Sequence, residues 1–237
     1  MLTDKFEYSG NELDLFSNAR NWKKYWRRKI DSYVNGKVLD VGAGIGSTAS
    51  NFADKYFNEW NLLEPDKNFY NKLSKKINSA QMPKNCQTIH GNLSCINNSE
   101  KFDSILYIDV LEHIKDDRQE LKMAAELLQK NGYLVILSPA YNFLYTEFDL
   151  KIGHFRRYSI STLKRILPLE LTVEKIFYLD CVGIFASLVN KFFLKKSEPS
   201  LSQIKFWDKY LIPISQCLDQ ILLNKVGKTI ICVLKKH

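Results

Sequence analysis

Apolar residues recur along this chain in two rhythms, and the switches between them mark its elements. From Leu13 onward, Phe16, Ala19, Trp22, Trp26, Ile30 and Tyr33 return every three or four residues, the stripe of an amphipathic helix that Asn35-Gly36 stops. Lys37-Val38-Leu39-Asp40-Val41 is then a short aliphatic run that ends in glycines, the pattern of a buried strand entering a tight turn. Residues 60–64 read as a second strand followed by a helix after Pro65-Asp66, residues 86–90 as a weaker third, and residues 102–109 as a fourth. A helical stretch over 116–129 and the pair Asn131-Gly132 precede a fifth strand at 133–138. Strands alternating with helices of this length imply right-handed crossovers and a parallel sheet covered on both faces, a doubly wound α/β domain.

After Pro139 the rhythm changes. A loop of about twenty residues (139–158) is longer than structural connections need, and long ordered loops tend to carry function. A helix is expected from Ser159, a strand over 171–178, a break at Glu198-Pro199-Ser200 between two more helical stretches, and a final strand over 228–234.

Composition adds bounds to this picture. The chain has 237 residues, 45% apolar and 25% charged, which excludes disorder and fits one domain with appendages better than two full domains. Lys and Arg exceed Asp and Glu by 34 to 26, a formal charge of +8, but the cations are scattered. The one dense run, Lys23, Lys24, Arg27, Arg28 and Lys29, sits in a helical pattern and reads as a solvated face, with contact to an anionic partner as the alternative. Five widely spaced cysteines without a CxxC pair suggest neither a disulfide framework nor a zinc cluster, so no metal is expected and a reducing cytoplasm fits. The N-terminus lacks the apolar core of a secretory signal. Residues 176–194 are largely apolar but contain Asp180, Asn190 and Lys191, each costly at bilayer depth, so an interfacial or substrate-covering helix is expected in place of a membrane span.

The sharpest chemical signal is Val38-Leu39-Asp40-Val41-Gly42-Ala43-Gly44-Ile45-Gly46. Glycines at alternate positions let the backbone leave a strand and approach a ligand with no Cβ in the way. Glu64 ends the next strand, where a carboxylate can accept both hydroxyls of a ribose, and Asp109 ends the fourth at the same rim. Nicotinamide dinucleotide sites place the third glycine one position later, to seat a pyrophosphate on a helix N-terminus. Here Ser47 stands in that place, and acids at Asp40 and Asp109 would repel a pyrophosphate, so a ligand with a cationic amino acid end is favoured.

These residues resemble the class I S-adenosylmethionine-dependent methyltransferases. "VLDVGAGIGSTA" is similar to the first motif of that family, "NLLEPD" to the second, "GNL" to its adenine-contact loop, "FDSILYIDVLEHIKDD" to its fourth-strand block and "LLQKNGYLVILSPA" to its fifth. The resemblance implies a seven-stranded Rossmann-like sheet, mostly parallel, with the last strand antiparallel beside the fifth. It implies a single methyltransferase domain over 1–237, with an N-terminal helical lid (1–35), a cofactor-binding half (36–139) and an acceptor-binding half (140–237) carrying a helical insertion at 180–220. It also implies that Gly42, Ala43, Gly44 and Gly46 line the methionine part of S-adenosylmethionine, that Asp40 orients the loop and the amino group, and that Glu64, beside Pro65, binds the ribose. Asn92 and Leu93 would flank adenine, and Asp109 would face the methionine end. The family often has Asp where Asn92 stands; an amide oxygen can still accept from the adenine amino group.

Methyl transfer is an in-line displacement, so the protein must align donor and acceptor, exclude water and, for a hydroxyl acceptor, supply a base. His154 and His113 are the candidates, each with an alternative role in shaping backbone. Arg156 and Arg157 can fork onto a phosphate or carboxylate of the acceptor, or pair with Asp149 or Glu147 to pin the loop. Tyr8, Tyr141 and Tyr158 are further candidates for the acceptor wall, whereas Trp22 and Trp26 read as core or lid packing. The stretches "SPAYNFLYTEFDLKIGHFRRYS" and "FSNARNWKKYW" resemble a bacterial subgroup of the quinone O-methyltransferase type. O-methylation of a small or lipid- or sugar-linked acceptor is therefore expected, with peripheral membrane contact open. Methylation of RNA is the alternative suggested by charge, although no appended RNA-binding module is visible, and a catalytically inactive binding protein is another.

Overall fold

The computed structural model describes residues 12–191 and 199–237. Its centre is a seven-stranded sheet in the order β3-β2-β1-β4-β5-β7-β6. Strands β1 (Lys37–Val41), β2 (Glu59–Glu64), β3 (Cys86–His90), β4 (Phe102–Ile108) and β5 (Leu128–Pro139) pair in parallel, and β7 (Thr229–Lys236) lies antiparallel between β5 and β6 (Leu171–Leu179). This is the expected sheet, with its last strand antiparallel beside the fifth.

Neighbouring residues on each central strand serve opposite layers. Val38, Leu62, Leu106 and Val135 pack on one face with Trp26 and Phe52, while Leu39, Leu63, Ile105 and Ile136 pack on the other with Leu121 and Ala124. Strands buried on both faces need continuous aliphatic runs, and these runs are what made them visible in the sequence. Removing one such side chain, as in Leu39→Ala, costs roughly 2–5 kcal/mol.

Four boundaries differ from the sequence reading. The first helical stripe is two helices, α1 (Glu12–Ser17) and α2 (Arg20–Ile30), because the Asn18 side chain bonds back to the Asp14 and Leu15 carbonyls and breaks the run. Ala19 cannot cap α2 with a side chain; instead Asp208, far along the chain, accepts from the N–H groups of Asn21 (3.1 Å) and Trp22 (2.8 Å). The helix over 116–129 ends early, as α5 (Asp117–Leu127), and β5 begins at Leu128; Asn131, at φ +62°, is an irregularity inside the strand and does not launch it. The long loop contains a helix of its own, α6 (Glu147–Lys151), with a Thr146 capping box.

The rest of the wound domain is α3 (Ser47–Asn51), α4 (Lys67–Asn78) and α7 (Ile160–Lys164). Between β6 and β7 the described residues form α8 (Cys181–Val189), α9 (Leu201–Phe206), a π-helical turn at Trp207–Leu211, and α10 (Ile212–Ile221), with residues 192–198 of the expected insertion outside the described residues. Two further buried acids fasten it. Asp219 accepts from the N–H groups of Asp180 (2.7 Å) and Cys181 (2.9 Å) and from the Tyr25 hydroxyl (2.8 Å), and Asp180 accepts from Gly183 N–H (3.0 Å) and Trp207 Nε1 (2.8 Å). Through Asp208 and Asp219 the insertion and α2 form one cap at the carboxyl end of the sheet. No helix among the described residues is long and apolar enough to cross a membrane.

Candidate active site

β1 delivers the chain into the glycine loop at the sheet's carboxyl rim. Gly42, Gly44 and Gly46 sit at φ +64°, +57° and +79°, a backbone region that side chains disfavour. A Cβ on Gly42 would stand 2.8 Å from a Val110 methyl, and one on Gly44 would stand 3.1 Å from Leu13, so α1 closes directly over the loop. Glu64 holds the loop from beside it, accepting from Gly44 N–H at 2.7 Å through one oxygen and from Asp66 N–H at 2.8 Å through the other. Burial raises the Glu64 carboxyl and these two N–H groups oppose the rise.

From this loop a cavity of about 900 Å³ runs under α1 and α2 toward the insertion. Gly42, Ala43, Gly44, Ser47 and Asp109 line its first part, and Trp22 and Trp26 form part of its roof, so these tryptophans serve packing and site together. Phe148, Ile152, Val189, Phe206 and Leu211 make an apolar far wall. The polar floor carries Asp109, Glu112, His113, His154, Arg157 and Lys228. Space and chemistry at the near end suit a ligand with a cationic amino acid end. The loop admits close backbone approach, and Asp109, a solvent-reached side chain on the cavity wall, has its carboxyl raised by its crowded surroundings, with the Lys228 charge in opposition, so a bound ammonium would restore its ionised form.

The long loop is built around one carboxylate. Asp149, at the third position of α6 and wholly buried, receives His154 Nδ1 at 2.9 Å, Arg157 Nε at 2.8 Å and Nη2 at 2.9 Å, and Thr146 N–H at 2.9 Å. Burial alone would raise this carboxyl, but the hydrogen bonds of His154 and Arg157, the Arg157 charge and the Thr146 N–H outweigh it and hold it well below the usual carboxylate range. An ionised Asp149 can only accept, so His154 Nδ1 donates to it, which turns Nε2 toward Glu112 Oε1, 3.8 Å away. Phe155 N–H bonds the Glu112 carbonyl at 2.8 Å, which seats the loop against the turn after β4. The two histidine rings consequently meet edge to face, 4.5 Å between centroids. Burial, and then the His154 charge, push His113 down to about 3, so it is neutral throughout the physiological range. Glu112 is raised well above an ordinary carboxyl by burial and by Asp109, against Ser138 and Arg157.

Other expected site residues lie elsewhere. Asp40 is inside β1, buried beside Trp60 Nε1 at 3.4 Å, and does not line the cavity. Gly46 packs on Leu73 and Met82. Glu64, Pro65, Asn92 and Leu93 lie at the neighbouring β2 and β3 ends of the rim, outside this cavity, with Gly91 N–H bonded to the Glu64 carbonyl at 3.0 Å; the Asn92 oxygen caps the next turn through Ser94 N–H at 3.1 Å. Arg156 and Tyr158 both turn away from the cavity to Asp117, at 2.5 and 2.7 Å, and the Tyr141 ring stacks between Phe143 and Tyr178. Arg156 and Tyr158 thus tie the loop to the buried Asp117 carboxylate, and Tyr141 packs in an aromatic stack. Arg157 pairs with Asp149, the alternative weighed for it, yet it also reaches the cavity. Tyr8 lies outside the described residues. Sequence reasoning passed over Glu112, Asp149 and Lys228 as site residues; the adjacency of Glu112 to His113 and the position of Lys228 beside the final strand were the available signals.

The profile of the methyltransferase domain family matches residues 18–168. Among curated proteins none matches the chain. Solved structures are similar over nearly its full length. YcgJ from Bacillus subtilis is 16% identical at TM-score 0.59, over 90% of this chain and 98% of that one. An S-adenosylmethionine-dependent methyltransferase from Clostridium acetobutylicum is 12% identical at TM-score 0.58, over 92% of each chain. The mitomycin 7-O-methyltransferase MmcR is 14% identical at TM-score 0.57, over 95% of this chain and 54% of that one. At such identities the structures speak for the fold, and the family match over residues 18–168 speaks for the rest. The chain belongs to the methyltransferase domain family.

Proposed function

We propose that the protein methylates a hydroxyl of a small or lipid-linked acceptor whose apolar body fills the far part of the cavity. The observation that carries this reading is one continuous space with the glycine loop at one end, apolar walls at the other, and the Asp149-held His154 in its floor. S-adenosylmethionine supplies an activated methyl group on a sulfonium sulfur.

The chain's own residues do the rest. Gly42 and Gly44 admit the methionine end, with Asp109 opposite its ammonium group. Gly46 and Asp40 hold the loop in shape from behind. Glu64, with Pro65 at its side, takes the ribose hydroxyls through the lone pairs that Gly44 and Asp66 leave, and Asn92 and Leu93 flank the adenine. Trp22 and Trp26 exclude water from above. The acceptor hydroxyl loses its proton to His154 Nε2, the imidazolium being stabilised by Asp149. His113, pushed to about 3, is too weak a base for this work and shapes the floor. RNA methylation finds less support, since the far walls of the cavity are apolar.

The acceptor's route points to an anionic lipid surface. Ile214, Leu218, Ile221 and Leu222 form one exposed stripe on α10, and Phe185 and Val189 are exposed on α8. Lys205, Lys209 and Lys225 accompany them, while the two carboxylates of residues 199–228, Asp208 and Asp219, are buried. Within residues 199–228, exposed apolar residues accompanied by exposed lysines and by no exposed carboxylate suit an interface with anionic lipid.

Titration with S-adenosylhomocysteine and NADH tests the cofactor side: micromolar binding of the first alone is expected, and binding of NADH alone overturns the reading. For the acceptor, cells lacking the protein should accumulate a metabolite one methylene lighter than its normal counterpart. His154→Ala should lower its conversion by about 10²–10⁴-fold with cofactor affinity unchanged; unaltered turnover would remove His154 from the mechanism.

A further inference from the structure

Glu112, His113 and His154 converge in the floor of the cavity, the first two from the turn after β4 and the third from the long loop. One ligand-capable atom of each lies within 4.8 Å of the others. Glu112 is wholly buried; its Oε2 accepts from Ser138 Oγ at 2.9 Å, while its Oε1 has no hydrogen-bond partner among the described residues. A carboxylate oxygen out of water and without a partner costs free energy, and native proteins keep such an atom where something is there to satisfy it. That oxygen stands 3.8 Å from His154 Nε2.

The surroundings are those of a ligand set. His154 gives its other nitrogen to Asp149 at 2.9 Å, the carboxylate–histidine relay that fixes ring orientation and raises the basicity of a metal-ligating imidazole. Arg157 and Thr146 in turn hold Asp149 still. Ligand atoms sharing one cation at bonds of about 2.1 Å sit roughly 3.0–3.5 Å apart, so small side-chain rotations bring these three onto a common centre. Two imidazoles and one carboxylate suit zinc or another divalent first-row transition metal, and suit magnesium or calcium poorly, since those prefer all-oxygen sets.

We propose that Glu112, His113 and His154 bind one divalent transition-metal cation, zinc in the first instance, with its remaining positions open to the acceptor oxygen in the cavity. The inference rests on the acceptor reading above and changes one step of it. The acceptor hydroxyl binds through oxygen and its proton leaves to water, as the proton of zinc-bound water does near pH 7. The oxygen then forms its bond to the methyl carbon as the carbon–sulfur bond breaks, and that electron pair returns to sulfur. The cation thus replaces His154 as the agent that acidifies the hydroxyl, and His154 becomes a ligand.

The test uses the full chain, stripped with a chelator and titrated with Co²⁺ followed by visible absorption, then with Zn²⁺ in competition, with S-adenosylhomocysteine binding measured on the same samples. One ion per chain with the absorption of a coordinated Co²⁺ is expected. Glu112→Gln and His154→Ala should each weaken binding at least 100-fold, and Asp149→Asn about 10- to 100-fold. His113→Gln, which keeps a side chain of similar reach, serves if His154→Ala fails to fold, and it should lose the ion equally. An ion retained in Glu112→Gln as in the wild type, or no Co²⁺ spectrum at all, overturns the proposal. Cofactor binding without the ion sinks the metal site and leaves the methyltransferase reading standing; the ion without cofactor binding does the reverse.

Discussion

Asp149 Oδ1 and His154 Nδ1 meet at 2.9 Å with the Arg157 fork closed on the same carboxylate, so one buried charge orients the floor of the cavity and ties down the loop that carries it. Asp149→Asn keeps the volume but cannot accept at both oxygens. It should destabilise the protein by about 2–4 kcal/mol, since hydrogen bonds to charged groups are worth roughly 1.5–3 kcal/mol each and some survive. The Asp149 carboxyl is held below its unfolded value, so its contribution is present above that value, near pH 4, and is lost as pH falls further. Chemical denaturation of wild type and variant should therefore give a stability gap at pH 7 that narrows below pH 4. A constant gap would mean that charge is not the cause.

Glu64 gives a sharper variant. Both its oxygens accept backbone N–H groups, from Gly44 and Asp66, so the amide of Glu64→Gln must turn its NH₂ toward a donor. The substitution should loosen the glycine loop and lower S-adenosylhomocysteine affinity about 10- to 100-fold, nearly as far as Glu64→Ala. Calorimetric titration checks this, and affinity equal to wild type would show that Glu64 neither shapes the loop nor meets the cofactor.

The sheet was legible because buried parallel strands advertise themselves: the run from Val38 to Val41 and its glycines have few other readings. The glycine loop with Asp109 was legible for the same local reason. What was not legible depends on distant pairs. Nothing near Ala19 announces that Asp208 caps α2, and nothing near Arg156 says that its fork goes to Asp117 and not to a ligand. Glu112 stood beside a candidate histidine throughout, but its partnership with His154 exists only once the long loop folds back on the turn after β4. Local pattern fixes elements; the floor of the cavity is made by contacts between them.

The exposed stripe on α10 makes a surface prediction. Ile221 and Leu222, 70% and 44% exposed, contribute apolar area, and the exposed Lys225 just after them contributes charge. Co-sedimentation with vesicles containing anionic phosphatidylglycerol should be strong at low salt, weaker at high salt, and reduced several-fold in Ile221→Ser combined with Leu222→Ser, with S-adenosylhomocysteine binding intact. Equal partition to neutral and anionic vesicles would remove the charge argument, and no partition to either would remove the lipid surface.

Asp40 sets a different pH dependence, of opposite sign to that of Asp149. Burial inside β1 pushes its carboxyl up to about 7, with the Trp60 indole N–H opposing and Glu64 adding to the rise. A folded value above the unfolded one means that ionisation favours the unfolded chain. Stability is full below the unfolded value near pH 4 and is lost as pH rises toward 7, by at most about 4 kcal/mol at 1.36 kcal/mol for each pH unit between the two values. Asp40→Asn cannot ionise and escapes this loss. It should match the wild type in thermal denaturation at pH 4 and exceed it by several degrees at pH 8. Parity at both pH values would show that Asp40 ionises in the folded protein as easily as in water, contrary to its burial between β2 and β4 in the sheet.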